Sequence, residues 1–213
     1  MSENTIPVEK RGRILVVLPF DKTLSFLVKE LKKKKRTPYL ILFFAGFIAS
    51  LIGGVFMFVH IFSNVGFSIW NLIFPFLLSF AFLVLIIPLH EIIHGIAFQM
   101  KGAKKIRYGI LWRSLAAYAV AVDFECNYKQ FRFIALAPLM IISIFLIIFI
   151  TIPIFPPFWK SVCYFGFMQH YTSCIGDILL LSYFYRLKGR NIIAWDDIDN
   201  RISYFIEVER SQD

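Results

Sequence analysis

Three residues near the middle of the chain, His90, Glu91 and His94, have the types and the spacing of a metal-binding helix. Residues four positions apart lie on one face of an α-helix, so both imidazoles can bind the same metal ion. Glu91 directly follows the first histidine and can reach a metal-bound water as a general base. A packing role is the poorer alternative, because an unpaired glutamate inside a membrane costs about 3 kcal/mol on insertion scales. The pattern therefore predicts a hydrolytic metal centre.

A catalytic zinc site has three protein ligands and an open position for water, so one ligand must come from elsewhere in the chain. Asp177 is the only other carboxylate inside a predicted membrane-spanning segment. At a rise of about 1.5 Å per residue, His94 lies about 10 Å from Lys101 and Asp177 about 13 Å from Arg186. Both basic residues are expected at the same membrane edge, so His94 and Asp177 can meet at one level. Asp177 is therefore the candidate third ligand, and a buried acid that tunes helix packing is its alternative role.

Two further histidines are weaker candidates. His170 shares a helix face with Asp177 but lies about 10 Å deeper along a straight helix, too far for direct ligation unless the helix breaks at Gly176. We expect an interfacial histidine there, with a contact to the metal ligands or the substrate as the alternative. His60, at the far end of the first predicted span, is expected to have no role in the site.

The composition places these residues in a membrane protein. Of 213 residues, 58% are apolar and only 17% are charged, and Phe alone occurs 25 times. Soluble domains are nearer 45–50% apolar and 25% charged. This excludes a cytosolic enzyme, a disordered tail and a small disulfide-rich secreted domain. The three cysteines form no CxxC pair, so neither a disulfide framework nor a cysteine-type zinc site is predicted.

Four segments are long and apolar enough to span a membrane, which takes about 20 residues. They cover residues 39–62, 72–99, 133–155 and 159–185. The fold class predicted is an all-α membrane protein, a bundle of about four transmembrane helices with a small β-hairpin or sheet on the cytoplasmic face.

The basic residues predict the orientation of this bundle. Every Lys and Arg except Lys160 lies in the N-terminal arm, in the segment between the second and third spans, or in the C-terminal tail. Cytoplasmic loops carry the excess of Lys and Arg, so we expect a multi-pass protein of the cell membrane with both termini in the cytoplasm. The net charge of +9 then reflects orientation, and no nucleic-acid partner is expected.

The predicted domain organisation follows from the spans. Residues 1–38 form a cytoplasmic basic arm, residues 39–185 the membrane domain with its cytoplasmic segment 100–132, and residues 186–213 a cytoplasmic tail. Within the arm, Leu24, Leu27, Val28 and Leu31 recur at helical spacing, which predicts a short amphipathic helix on the membrane surface or a solvated linker helix.

Two segments outside the predicted spans complete the predictions. Residues 106–124 are rich in Tyr, Val, Ala and Leu and are interrupted by Gly109, which favours a β-hairpin or small sheet. In the tail, the acidic residues Asp196, Asp197 and Asp199 are expected to be solvated.

The motifs resemble those of a known class. A membrane-embedded HExxH with an aspartate on a later span resembles the site-2 protease class of intramembrane zinc metalloproteases. The sequences His90-Glu91-Ile92-Ile93-His94-Gly95, Leu136-Ala137-Pro138 and Ser173-Cys174-Ile175-Gly176-Asp177 are more similar to a bacterial family of zincin membrane peptidases. This resemblance implies Zn²⁺ held by His90, His94 and Asp177, with Glu91 as the catalytic acid and base.

The function predicted is zinc-dependent hydrolysis of a peptide or membrane-protein substrate at the cytoplasmic side of the lipid bilayer. One alternative is a non-catalytic metal-binding scaffold or an accessory subunit of an export or immunity system. A structural site has no need of a base beside its ligands, so Glu91 discriminates between the two. A small ion transporter is a further alternative, although transporters commonly contain inverted repeats and none is evident here.

Overall fold

The computed structural model describes residues 12–32, 37–112 and 116–208. The predicted basic run in the arm lies largely outside these ranges. The six α-helices are α1 (Thr23–Leu31), α2 (Pro38–Val65), α3 (Trp70–Met100), α4 (Tyr128–Thr151), α5 (Pro157–Ser173) and α6 (Ile175–Arg186). The six strands are β1 (Arg13–Pro19), β2 (Ile106–Leu111), β3 (Ala116–Ala121), β4 (Glu125–Asn127), β5 (Ile192–Asp197) and β6 (Ile202–Glu207).

Three helices, α2, α3 and α4, are long and apolar enough to cross a membrane. They contain 28, 31 and 24 residues, or about 42, 46 and 36 Å at 1.5 Å per residue, against a hydrocarbon layer of about 30 Å. Their outward faces are covered with exposed large apolar side chains, as expected of surfaces that lipid covers. Local signals set their ends: Pro38 occupies the first turn of α2, and Gly66, at φ +80°, follows its last residue.

The predicted fourth span consists of two helices instead of one. α5 ends at Ser173 and α6 begins at Ile175. At the junction, the Cys174 amide donates to the His170 carbonyl, and Cys174 itself, at ψ −2°, departs from helical geometry. Neither half is long enough to count as a span, so the described residues contain three candidate spans and a broken helix pair.

The hairpin predicted after the second span is confirmed. β2 and β3 pair antiparallel, with Tyr108 opposite Ala119 and Gly109 opposite Tyr118. The ring of Tyr118 lies across Gly109, where a Cβ atom would be only 2.4 Å from it. The hairpin packs along α3 beyond the HExxH motif, and the Tyr108 hydroxyl occupies the space beside Gly95.

The second sheet was not predicted from the sequence. It is antiparallel with the order β1-β6-β5-β4, so it joins the N-terminal arm to the C-terminal tail. Arg13 is paired with Glu207, and Trp195 with both Glu125 and Tyr204. β4 leads directly into α4, whose first turn is closed by a capping box between Asn127 and Gln130.

The helix packing brings four helices together. α3 contacts both α4 and α5, and α6 packs against α4. The predicted helix in the arm is confirmed as α1, which packs on α6 through the buried Leu27 and through an ion pair between Glu30 and Arg186. The sheet and α1 thus lie over the end of the bundle at which α3 and α6 carry their polar residues.

Candidate metal centre

α3 presents His90 and His94 on one face. Their ring centroids are 4.7 Å apart and the rings are nearly perpendicular. The helix runs unbroken through this region although Pro88 lies two residues before the first histidine. The helical spacing of the motif therefore places both imidazoles toward the same neighbour.

That neighbour is Asp177, in the first turn of α6. His90 Nε2 lies 3.3 Å from Asp177 Oδ2, and His94 Nε2 lies 3.5 Å from Asp177 Oδ1. One ligand atom from each of the three residues falls within 4.8 Å of the others. The structure thus brings together the three residues expected to share one level.

Each histidine also has a partner at its other ring nitrogen. His94 Nδ1 lies 3.0 Å from the Ile134 carbonyl oxygen, which can only accept a hydrogen bond. His94 therefore carries its proton on Nδ1, and its Nε2 lone pair is directed to Asp177 and the space beside it. Metal-ligating histidines in proteins have this arrangement almost without exception.

His90 has His170 as its second partner, with 3.2 Å between His90 Nδ1 and His170 Nε2. His170 is 1% exposed and contacts a candidate ligand, so it matches the alternative of a contact to the metal ligands and not an interfacial histidine. The distance estimate assumed a straight helix, whereas the chain breaks at Cys174. The sequence analysis allowed for a helix break at Gly176, two residues from the observed break at Cys174. The glycine alone did not determine the position of the break.

Cys174 lies behind the centre. Its Sγ is 3.5 Å from His170 Nε2 and 4.0 Å from His90 Nδ1, so these three residues form a second cluster of possible ligands. Cys174 and His170 are enclosed in the protein, which leaves this cluster no route for a reactant. The cluster of His90, His94 and Asp177 borders open space and is the one suited to catalysis.

Glu91 lies in the same open space, next to the hairpin. The Ala119 backbone is close enough to hydrogen-bond the Glu91 carboxylate. The Val122 amide donates to the Lys105 carbonyl, and amide directions alternate along a strand. Ala117 and Ala119 therefore direct their amides away from β2, so this edge of β3 lies beside Glu91.

A cavity of about 470 Å³ encloses the centre. α3, α4 and α6 form its floor, β3 one wall, and the first turns of the arm helix another. At its border Phe20 and Tyr118 meet edge to face, with ring centroids 5.5 Å apart. Within the part of the chain that the structure covers, His60 does not line this cavity and lies exposed on α2.

Asp196 is a cavity residue that the sequence analysis placed in solvent. It accepts a 2.5 Å hydrogen bond from the Ser203 hydroxyl on the neighbouring strand and lines the cavity. Burial raises the pKa of the Asp196 carboxyl, and the Ser203 hydrogen bond lowers it by less. The expectation of a solvated cluster was wrong for this residue because it ignored the sheet; Asp199, outside the strands, is exposed.

Comparison with known proteins places the chain in a family. A family model described as "Putative zincin peptidase" matches residues 82–190, which is more than half of the chain. The chain belongs to this family. Zincins use a zinc cofactor, and the matched region contains His90 and His94 of α3 as well as Asp177 of α6.

One curated protein is also similar, a protein of Pyrococcus woesei named "Uncharacterized 24.7 kDa protein in gap 5'region". The two are 29% identical over 117 residues, which cover 53% of this chain and 48% of the relative. The chain thus spans about half the length of that relative. No solved structure matches.

Proposed function

We propose that this protein is an integral-membrane zinc metallopeptidase that hydrolyses peptide bonds at or within the cytoplasmic half of the bilayer. The observation that carries the proposal is the convergence of His90, His94 and Asp177 on one point beside Glu91, in an open cavity. Membership of a zincin peptidase family supports the same reaction class.

The three converging residues fit a zinc ion. Two neutral imidazole nitrogens and one carboxylate oxygen are ligands that zinc accepts, and three protein ligands leave a position open for water. The hydrogen bonds from the Nδ1 atoms to the Ile134 carbonyl and to His170 hold both rings with Nε2 forward. When bound there, zinc would lower the pKa of a water molecule and polarise the scissile carbonyl.

Glu91 supplies the proton transfers. Its carboxylate accepts a proton from the attacking water and returns it to the leaving amine as the peptide bond breaks. The edge of β3 beside it keeps this carboxylate next to the metal centre. A structural metal site requires neither this base nor an open cavity, so both features favour hydrolysis over a scaffold role.

The same strand edge can bind the substrate. Helical segments hide their carbonyls in intrahelical hydrogen bonds, so a membrane-protein substrate must become extended before attack. An extended segment can add to the outward backbone groups of Ala117 by β-augmentation, which places it alongside Glu91, while the Ala119 amide stays with the Glu91 carboxylate.

The membrane location of the site rests on the helices and the charges. Three helices qualify as spans, and the distribution of Lys and Arg orients both termini to the cytoplasm. His94 lies two turns before the end of α3 at Met100, so the centre is close to the cytoplasmic edge. The hairpin and the sheet then cover the site from the cytoplasm.

His170 acts as a positioning residue for His90. We expect His170→Leu to weaken zinc binding by about 10- to 100-fold, because the Nδ1 proton of His90 loses its acceptor. His170→Gln keeps an acceptor oxygen and should recover most of the affinity. Zinc affinity is measured by competition with a chromophoric chelator, and equal affinities of the Leu and Gln variants would contradict the role.

Peptide cleavage tests the proposed function as a whole. The purified protein, in lipid vesicles with Zn²⁺, is incubated with a library of unstructured peptides, and the products are identified by mass spectrometry. We expect defined cleavage sites that disappear on chelation and return when Zn²⁺ is added. Cleavage unaffected by chelation would show that the activity does not depend on the metal.

A further inference from the structure

The charged residues that the structure describes in the cavity lining are acidic, apart from the histidines of the metal centre. The chain as a whole has a net charge of +9, yet none of the described lining residues is Lys or Arg. Four carboxylates line it: Glu91 and Asp177 at the metal centre, Asp21 in the turn before α1, and Asp196 on β5. Two of the four therefore lie outside the proposed chemistry and make the cavity electronegative where substrate must pass.

Asp196 lies at the junction of the cavity with a side recess of about 60 Å³. The recess has mostly apolar walls, and its polar lining is the carboxylate of Asp196 with the hydroxyls of Ser203 and Thr23. Six residues line both the recess and the main cavity: Thr23, Phe98, Phe131, Leu180, Asp196 and Ser203. The recess is thus a branch of the substrate cavity.

Among the residues that the structure describes, no Lys or Arg forms an ion pair with the Asp196 carboxylate. Ser203 donates a hydrogen bond to it. A partly buried carboxylate without a paired cation is costly, and a cationic ligand lowers that cost. Ser203 and Asp196 are also cross-strand partners, so a purely structural role is the competing explanation.

We propose that the mouth of this recess is a substrate subsite for a Lys or Arg side chain, whose charged head pairs with Asp196. Phe98, Phe131 and Leu180, which line both spaces, fit the methylene groups of such a side chain as it crosses the main cavity, and the Asp196 carboxylate fits its charged head. The inference rests on the proposed peptidase function and names its substrate class. Membrane proteins carry Lys and Arg at the cytoplasmic ends of their spans, so basic juxtamembrane segments match this cavity.

The test compares two peptides that differ in one side chain. A peptide cleaved in the library experiment is made with Lys or with the uncharged isostere norleucine at each position near the cleaved bond. At one position we expect the wild-type protein to prefer Lys by about tenfold or more in kcat/KM. Asp196→Asn should reduce that preference to within about twofold.

A matched control lies on the same strand. Asp197 holds the turn at Asn200 and is absent from the cavity lining, so Asp197→Asn should keep the Lys preference. The thermal unfolding temperatures of both variants show separately whether Asp196 and Asp197 stabilise the fold. A wild-type protein that cleaves both peptides equally, or an Asp196→Asn protein that keeps the preference, overturns the subsite but leaves the peptidase proposal intact.

Binding separates the subsite from the reaction. Fluorescent Lys and norleucine peptides, of the cleaved sequence or otherwise of a generic polyalanine sequence, are titrated with Glu91→Gln protein and with the Glu91→Gln, Asp196→Asn double variant. Tighter binding of the Lys peptide that is lost in the double variant supports the subsite even if the wild-type protein cleaves nothing. Equal binding of the two peptides to Glu91→Gln protein overturns it.

Discussion

Glu91→Gln is expected to lower the rate of peptide hydrolysis by about 10²- to 10⁴-fold. Glutamine has the shape of glutamate but cannot accept the proton of the attacking water, so the loss is confined to proton transfer. His90, His94 and Asp177 are unchanged, and zinc should stay bound in the same stoichiometry as in the wild-type protein. The measurement is initial rate of cleavage together with metal content of the same sample.

The control for this variant is Glu125→Gln. Glu125 is exposed on β4 and does not line the cavity, so the same chemical change there should leave cleavage intact. Glu91→Gln protein that hydrolyses peptide at the wild-type rate would refute the role of Glu91 as base and would favour a scaffold.

Asp177→Ala is expected to weaken zinc binding by more than about 100-fold. This exceeds the effect expected of His170→Leu, which removes only the hydrogen-bond partner of a ligand. The carboxylate contacts the Nε2 atoms of both histidines, so its removal leaves two ligands and a site too weak to retain zinc through purification. Cleavage should fall with the metal content, because without zinc neither the water nor the scissile carbonyl is activated.

Asp199→Ala is the matched control for the aspartate. Its side chain is exposed and makes a long 3.5 Å contact to Arg107, so zinc content should not change. Asp177→Ala protein with a full complement of zinc would mean that the third ligand is another group. The nearest candidates are His170 and Cys174, which share the second cluster with His90.

The sequence predicted the parts of the site that depend on local regularity. The spacing of His90 and His94 gives a shared face in any α-helix, and counting residues to Lys101 and Arg186 gives a common depth for the two helices. The structure brings the predicted groups together. The hairpin was predictable for a similar reason, because its strands are adjacent in the chain and Gly109 interrupts the segment.

Features that depend on distant parts of the chain could not be predicted. β1 and β6 pair residue 13 with residue 207, and no local pattern in either short strand indicates its partner. The position of Asp196 depends on that sheet. The contact of His170 with His90 depends on the break at Cys174, which neither Pro nor a conformationally required Gly marks.

The metal content of the purified wild-type protein, measured beside that of His94→Ala, tests the central claim most directly. His94 Nε2 faces Asp177, and its Nδ1 is hydrogen-bonded to the Ile134 carbonyl. Alanine at this position therefore removes one metal ligand and one hydrogen bond to the backbone. We predict about one zinc per wild-type chain and a loss of that zinc in the variant. Equal, negligible metal in both proteins, or equal full occupancy, would contradict the proposed centre.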